Sequence, residues 1–173
     1  MKNQNLCTII HPDLLEAQKL AYTPAGLTSH SFLKEPESKE YGAFDFEMNG
    51  HHIKFRVGKT TPTKIGQFVT LWKRLGKGPI QPYDLNDPVD LFVVSVRKAG
   101  HFGQFVFPKS VLYEKGILSK DGKGGKRAMR IYPSWDIAEN SQAKRTQAWQ
   151  LLYFLEISSN TPVDTQQIQT LFC

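Results

Sequence analysis

The sequence is poor in the residues that build covalent or metal-held scaffolds. Its 173 residues include two cysteines, Cys7 and Cys173, at opposite ends and with no metal-ligand spacing. A framework of several disulfides is therefore excluded, and the pair reads as free thiols in a reducing cytoplasm, with a single terminal disulfide as the alternative. No apolar run approaches the ~18 residues a membrane span requires. The longest candidate, Leu91 to Val96, is six residues. Met1 to Asn5 leads into no apolar stretch of ~7–15 residues, so no secretory signal is expected. Repeats, low-complexity tracts and long linkers are also missing, which predicts one domain over residues 1–173. No local Ser/His/Asp or Cys/His arrangement suggests a nucleophile.

A core and segregated charge are what the chain does have. Apolar residues make up 40% and aromatics 12%, enough for a domain that hides roughly 70% of its unfolded surface and is not intrinsically disordered. The net charge of +6 is unevenly spread. Residues 1–53 carry a net −3, whereas residues 54–77 hold seven cations and no acid. Residues 78–96 return to −3, residues 97–130 rise to +7, and residues 131–173 fall to −2. Two basic blocks on a small domain point to a polyanion, with a solvated lysine-rich surface as the plain alternative. The polyanion reading names Lys54, Arg56, Lys59, Lys64, Lys73, Arg74, Lys109, Lys123, Lys126, Arg127 and Arg130 as phosphate contacts.

Local patterns predict a mixed α/β (α+β) order around one sheet. A helix is expected from Pro12 to Ala21, followed by a short helical turn from Pro36 with Glu37 and Glu40 on one face. Asn49-Gly50 is the preferred pair for a type I′ hairpin turn. Counting from it places Phe44 opposite Phe55, Asp45 opposite Lys54, Phe46 opposite Ile53 and Glu47 opposite His52, matching apolar with apolar and acid with base. Ile65, Phe68, Val69 and Trp72 recur at helical spacing, which predicts a helix from Pro62 to Arg74 capped by Thr61. Asp90 to Arg97 reads as a buried central strand, Phe102 to Phe107 as the next strand, and Pro108 to Lys115 as a short helix. Asp121 to Arg127 reads as a loop, Ala128 to Tyr132 as a last strand, and Asn140 to Ile157 as a long helix with a Trp149 core face. The tail from Ser158 is polar and is expected to be the least ordered part.

Gly122 to Arg127 sets three glycines beside three cations, a composition that can bring backbone N–H groups and positive charge to an oxyanion. It is not a Walker A loop, because Arg127 stands where Ser or Thr is needed. His51 and His52 point to opposite faces of a strand, so they do not share a metal, and a hairpin-end His paired with Glu47 is expected. A third constellation comprises Glu37, Glu40, Asp45, Glu47, Lys54, Arg56 and Lys59. Metal-dependent nucleases place carboxylates and a lysine on adjacent strands, where the acids hold Mg²⁺ and the lysine positions water. On that pattern Glu37, Glu40, Asp45 and Lys59 are the catalytic candidates, with Glu40 and Asp45 as metal ligands. The usual Glu-x-Lys falls on Lys54-Phe55-Arg56, so a cation replaces a ligand and an Arg56–carboxylate pair is the competing expectation.

Tyr41-Gly42-Ala43, the run from Phe55 to Arg74, and Phe102 to Lys109 are similar to the MepB family, as are Gly122 to Arg127 and Tyr132-Pro133-Ser134-Trp135. The resemblance spans residues 10–155. It implies a restriction-endonuclease-like fold and a cytoplasmic protein that binds nucleic acid, DNA ahead of RNA, with Mg²⁺ as cofactor if it is a nuclease. The other function it leaves open is a binder or modifier of phosphorylated nucleosides linked to drug resistance. No membrane partner is implied.

Overall fold

A computed structural model describes residues 10–173. Helix α1 (Pro12–Ala17) runs into a π-helical turn (Gln18–Tyr22). His11 caps it, its ring Nδ1 accepting from the Asp13 N–H at 3.1 Å, and Pro12 occupies the first turn. Then follow β1 (Ser29–Lys34), a 3₁₀ turn (Lys39–Tyr41), β2 (Phe44–Met48), β3 (His51–Val57), β4 (Lys59–Thr60), β5 (Gln67–Thr70), β6 (Trp72–Arg74) and β7 (Ile80–Pro82). The remainder comprises β8 (Leu91–Lys98), β9 (His101–Pro108), α2 (Lys109–Glu114), β10 (Ala128–Ile131), α3 (Ser141–Gln150), a 3₁₀ turn (Leu151–Tyr153), β11 (Phe154–Glu156) and α4 (Thr165–Leu171).

Six strands form the central sheet in the order β1-β2-β3-β8-β9-β11. All neighbours are antiparallel except β3 and β8, which run parallel. A parallel pair needs a long crossover, and here the crossover carries β4, β5 and the β6-β7 ribbon, with β10 added later in the chain to complete a second sheet ordered β10-β5-β4. One face of the central sheet buries Phe44, Phe46, Ile53, Phe55 and Val93 under α1, the π-turn and α4. The other buries Phe92, Val94, Phe105 and Phe107 together with Val69 and Ile131 of the second sheet.

The hairpin register is the expected one, from Phe44 opposite Phe55 to Met48 opposite His51. The predicted helix over Pro62–Arg74 is not formed. Gly66 sits at φ +80°, and a Cβ there would come within 2.6 Å of the Ile131 carbonyl oxygen. Strand β5 instead pairs with β10 and β4, and its alternation of buried Gln67 and Val69 with half-buried Phe68 and Thr70 suits a strand. The helical spacing of Ile65, Phe68, Val69 and Trp72 gave way to these ladder bonds.

The long C-terminal helix ends early, at Gln150. Past it, Phe154 to Glu156 complete the free edge of β9, with Phe154 opposite Phe105. Gly103 makes room for the Phe154 ring, which would lie 2.6 Å from a Cβ. The tail is ordered too. Asp164 caps α4 by accepting from the Gln166 and Gln167 N–H groups, and Ile168 and Phe172 are fully buried. Ile168, Leu171 and Phe172 form an i, i+3, i+4 stripe within an otherwise polar segment. Cys173 is exposed and free, while Cys7 lies outside the described residues.

Candidate nucleic-acid interface

The hairpin brings Asp45 and Lys54 together as expected, with 2.8 Å between Lys54 Nζ and the carboxylate. A further acid, Glu35, completes the group. It sits just past β1, accepts from Lys54 Nζ at 2.6 Å, and pairs at 2.7 Å with Arg56. Arg56 is the largest buried charged side chain, 1% exposed, and also donates to the Phe55 carbonyl and the Tyr83 hydroxyl. Burial alone would lower the Lys54 pKa, but Tyr83, Asp45 and Glu35 outweigh it and hold the ammonium above its ordinary value. Burial raises the Tyr83 phenol against the opposing pull of Arg56.

Asp45 also meets the His52 ring at 3.2 Å, and the other ring nitrogen meets the Pro88 carbonyl. Glu47 lies opposite His52 in register, yet its carboxylate faces His30 at 3.6 Å. The expected pairing of a hairpin-end His with Glu47 is not formed: His52 turns to Asp45, and Glu47 faces His30 of the neighbouring strand β1 instead.

The other acids are dispersed. Glu37 pairs with Arg74 at 3.0 Å, and Glu40 is exposed on its 3₁₀ turn. Lys59 rests over the Tyr41 ring, 4.5 Å from its centroid. Among the described residues, no three His, Cys, Asp or Glu side chains are grouped to hold a metal. The carboxylates that do converge are Glu35 and Asp45, held by Lys54 and Arg56 and by Lys54 and His52. With Lys54, Arg56 and His52 on their oxygens, these two carboxylates are taken up by ion pairs rather than left open for Mg²⁺, which is held through one or two carboxylates and waters.

Ion pairing consumes much of the basic blocks. Lys73 reaches Asp87 at 2.6 Å, Arg97 holds Asp13 and Glu16, and Lys98 reaches the buried Asp136 at 2.9 Å. The glycine-lysine loop is also occupied from within. Gly122 N–H donates to Asp84 at 3.0 Å, and Ser119 and Asn86 donate to the same carboxylate. Those hydrogen bonds, the Gly122 amide first, pull the Asp84 pKa down to about 2. The side chains of Lys123, Lys126 and Arg127 remain exposed, and Lys109 opens instead onto a hollow beside Asp90 and Leu152.

Between β10 and α3 lies a cleft of about 570 Å³ where the two basic blocks meet. Lys64 enters from the loop before β5, Lys115 from the end of α2, and Lys126 and Arg130 from β10 and its approach. Trp149 and Tyr132, both half-buried, share the lining, in which Glu139 is the one acid among the described residues. The helix is held here by amides rather than by an apolar stripe. Buried Gln150 donates to the Arg130 carbonyl and accepts from the Tyr132 N–H, taking the place of a strand at the β10 edge. Gln147 donates to the Pro133 and Asp136 carbonyls at 2.9 and 2.8 Å. Lys115 and Trp149 escaped the sequence reading because their neighbours belong to distant segments; the low apolar content of Ser141–Gln150 was the available signal that Trp149 need not be core.

A family model described as MepB-like matches residues 35–156. The chain belongs to the MepB-like family. The crystal structure of MepB is similar at 35% identity and a TM-score of 0.72, over 77% of this chain and 88% of that one. A bacterial homing endonuclease gives 18% identity and a TM-score of 0.41, over 83% of this chain and 94% of that one. No protein of curated function matches the sequence. The α+β class with a mixed central sheet agrees with the expectation for this MepB-like chain, and no helix among the described residues is long and apolar enough to cross a membrane.

Proposed function

We propose that this MepB-like protein binds nucleic acid through the cleft between β10 and α3. The observation that carries the reading is the convergence of four cations against one acid around two aromatic rings. Among the described residues Lys64, Lys126 and Arg130 form no ion pair, and Lys115 has only exposed Glu114 at 3.7 Å. Cations without acidic partners neutralise phosphates and release counterions, while aromatic faces receive bases. The Glu35–Asp45–Lys54–Arg56 cluster offers no such surplus, since two acids face two bases. We read it as structural, and propose binding through the cleft without turnover. DNA ahead of RNA is kept as the expectation drawn from the sequence.

The test is anisotropy of labelled DNA and RNA strands at salt between about 50 and 200 mM, with Mg²⁺-dependent cleavage assayed in parallel. Binding is expected to weaken several-fold or more across that range, without cleavage. Lys64→Ala and Lys126→Ala should each lower the log–log salt slope by about one. Salt-independent affinity, or steady turnover with Mg²⁺, would overturn the reading. A shallow slope with tight mononucleotide binding would favour a phosphorylated nucleoside instead.

A further inference from the structure

We infer that the cleft receives an unpaired nucleotide, its base against Trp149 and its phosphate among Lys64, Lys115 and Lys126, so that the preferred ligand is single-stranded. The inference rests on the nucleic-acid reading above and specifies the ligand of the same site.

Trp149 carries the argument. Its ring packs against Phe107 of the core, with centroids 5.5 Å apart, which fixes the indole. The Lys115 ammonium lies over the same ring, 5.7 Å from its centroid, and Lys115 itself is exposed. A compact cation on a rotatable stem is a replaceable cover. A base entering the cleft takes the ring face, and the displaced ammonium meets the phosphate that arrives with it. Tyr132 is held at the other wall by Gly66, where a Cβ would come within 2.7 Å of its ring. Asn140, Gln142 and Thr146 of α3 line the same space, supplying donors and acceptors for a base edge.

Size and shape select against a duplex. A volume of about 570 Å³ falls within the range of small-molecule sites, roughly 300–1,000 Å³. Bases in a duplex are stacked on one another, so their faces are closed to a protein aromatic. An unpaired base offers its face, and base–aromatic stacking is tolerant of sequence.

The decisive experiment uses the unmodified protein. Affinity is compared for a short single strand, its duplex, and the same strand with abasic nucleotides, at one salt concentration. The intact strand is expected to bind at least tenfold tighter than either. Loss of the bases removes stacking and leaves every phosphate, so equal affinity for abasic and intact strands would overturn the inference while leaving nucleic-acid binding standing. Duplex binding as tight as single-strand binding would do the same. No binding of any of the three would sink both readings. Trp149→Leu, which keeps an apolar contact with Phe107, should weaken single-strand binding about 5- to 150-fold, whereas Trp149→Phe should retain most of it; equal effects would also overturn the inference.

Discussion

Arg56 shows how one residue redirects a site. A guanidinium cannot shed its proton at any ordinary pH, so on a central strand it must be matched in place. Glu35 supplies the charge at 2.7 Å, while Arg56 Nε is left buried without a partner. Removing Glu35 would strand a buried cation, so Glu35→Ala is expected to cost about 3–5 kcal/mol in urea unfolding, and Arg56→Met appreciably less. Similar losses from the two would argue against the pair as drawn. Asp84 behaves differently because its shift comes from hydrogen bonds to the loop. Its folded pKa of about 2 lies below the ordinary 3.8. A depressed carboxylate stabilises the folded state above its unfolded pKa and loses that contribution as pH falls through the folded one. Protection of the Gly122 amide, its exchange relative to the unfolded chain at the same pH, should therefore persist at pH 4 and fall toward pH 2. Asp84→Asn should remove that pH dependence.

Two elements depend on single glycines or amides. Asn49 and Gly50 turn the hairpin at φ +52° and +75°, and nothing lies within 4 Å of a Cβ at Gly50. The penalty for Gly50→Val is thus one of backbone conformation, on the order of 1–2 kcal/mol, and a lowered Tm is the check. Gln150 joins α3 to the edge of β10 through two backbone groups. Gln150→Leu leaves both unsatisfied, at about 1–3 kcal/mol each. Stability and single-strand affinity should fall together, because the helix is one wall of the cleft; retained affinity in a destabilised variant would separate the helix from binding.

Over the whole molecule, acids from three segments neutralise cations that the sequence lists in blocks. Lys54, Arg56, Lys73 and Arg74 of the first block meet Glu35, Asp45, Asp87 and Glu37. Lys64 of that block instead joins Lys115, Lys126 and Arg130 of the second. Charge reversal should follow geometry rather than block membership. Lys73→Glu with Arg74→Glu is expected to change nucleic-acid affinity less than Lys64→Glu with Lys126→Glu, as measured by titration at fixed salt. The opposite ranking would place the binding surface on the β6-β7 ribbon.

Short-range physics was legible in the residues alone. The Asn49-Gly50 turn and the alternation beside it set the β2–β3 register, and hence the Asp45–Lys54 pair, because turn type and side-chain facing are decided within a dozen residues. Central strand β8 was equally plain, since a valine-rich run suits a strand buried on both faces. Long-range pairing was not. Whether Gln67–Thr70 coils or extends depends on β10, some sixty residues away, and whether Phe154–Glu156 stays helical depends on the open edge of β9. Helical spacing and strand alternation overlap in short apolar stretches, and the hydrogen-bonding partner that breaks the tie is supplied by the fold. Charge follows the same rule. Composition showed a basic surplus, but which cations remain free is decided by which acids the packed elements bring within reach, and that selection left the cleft between β10 and α3 positively charged.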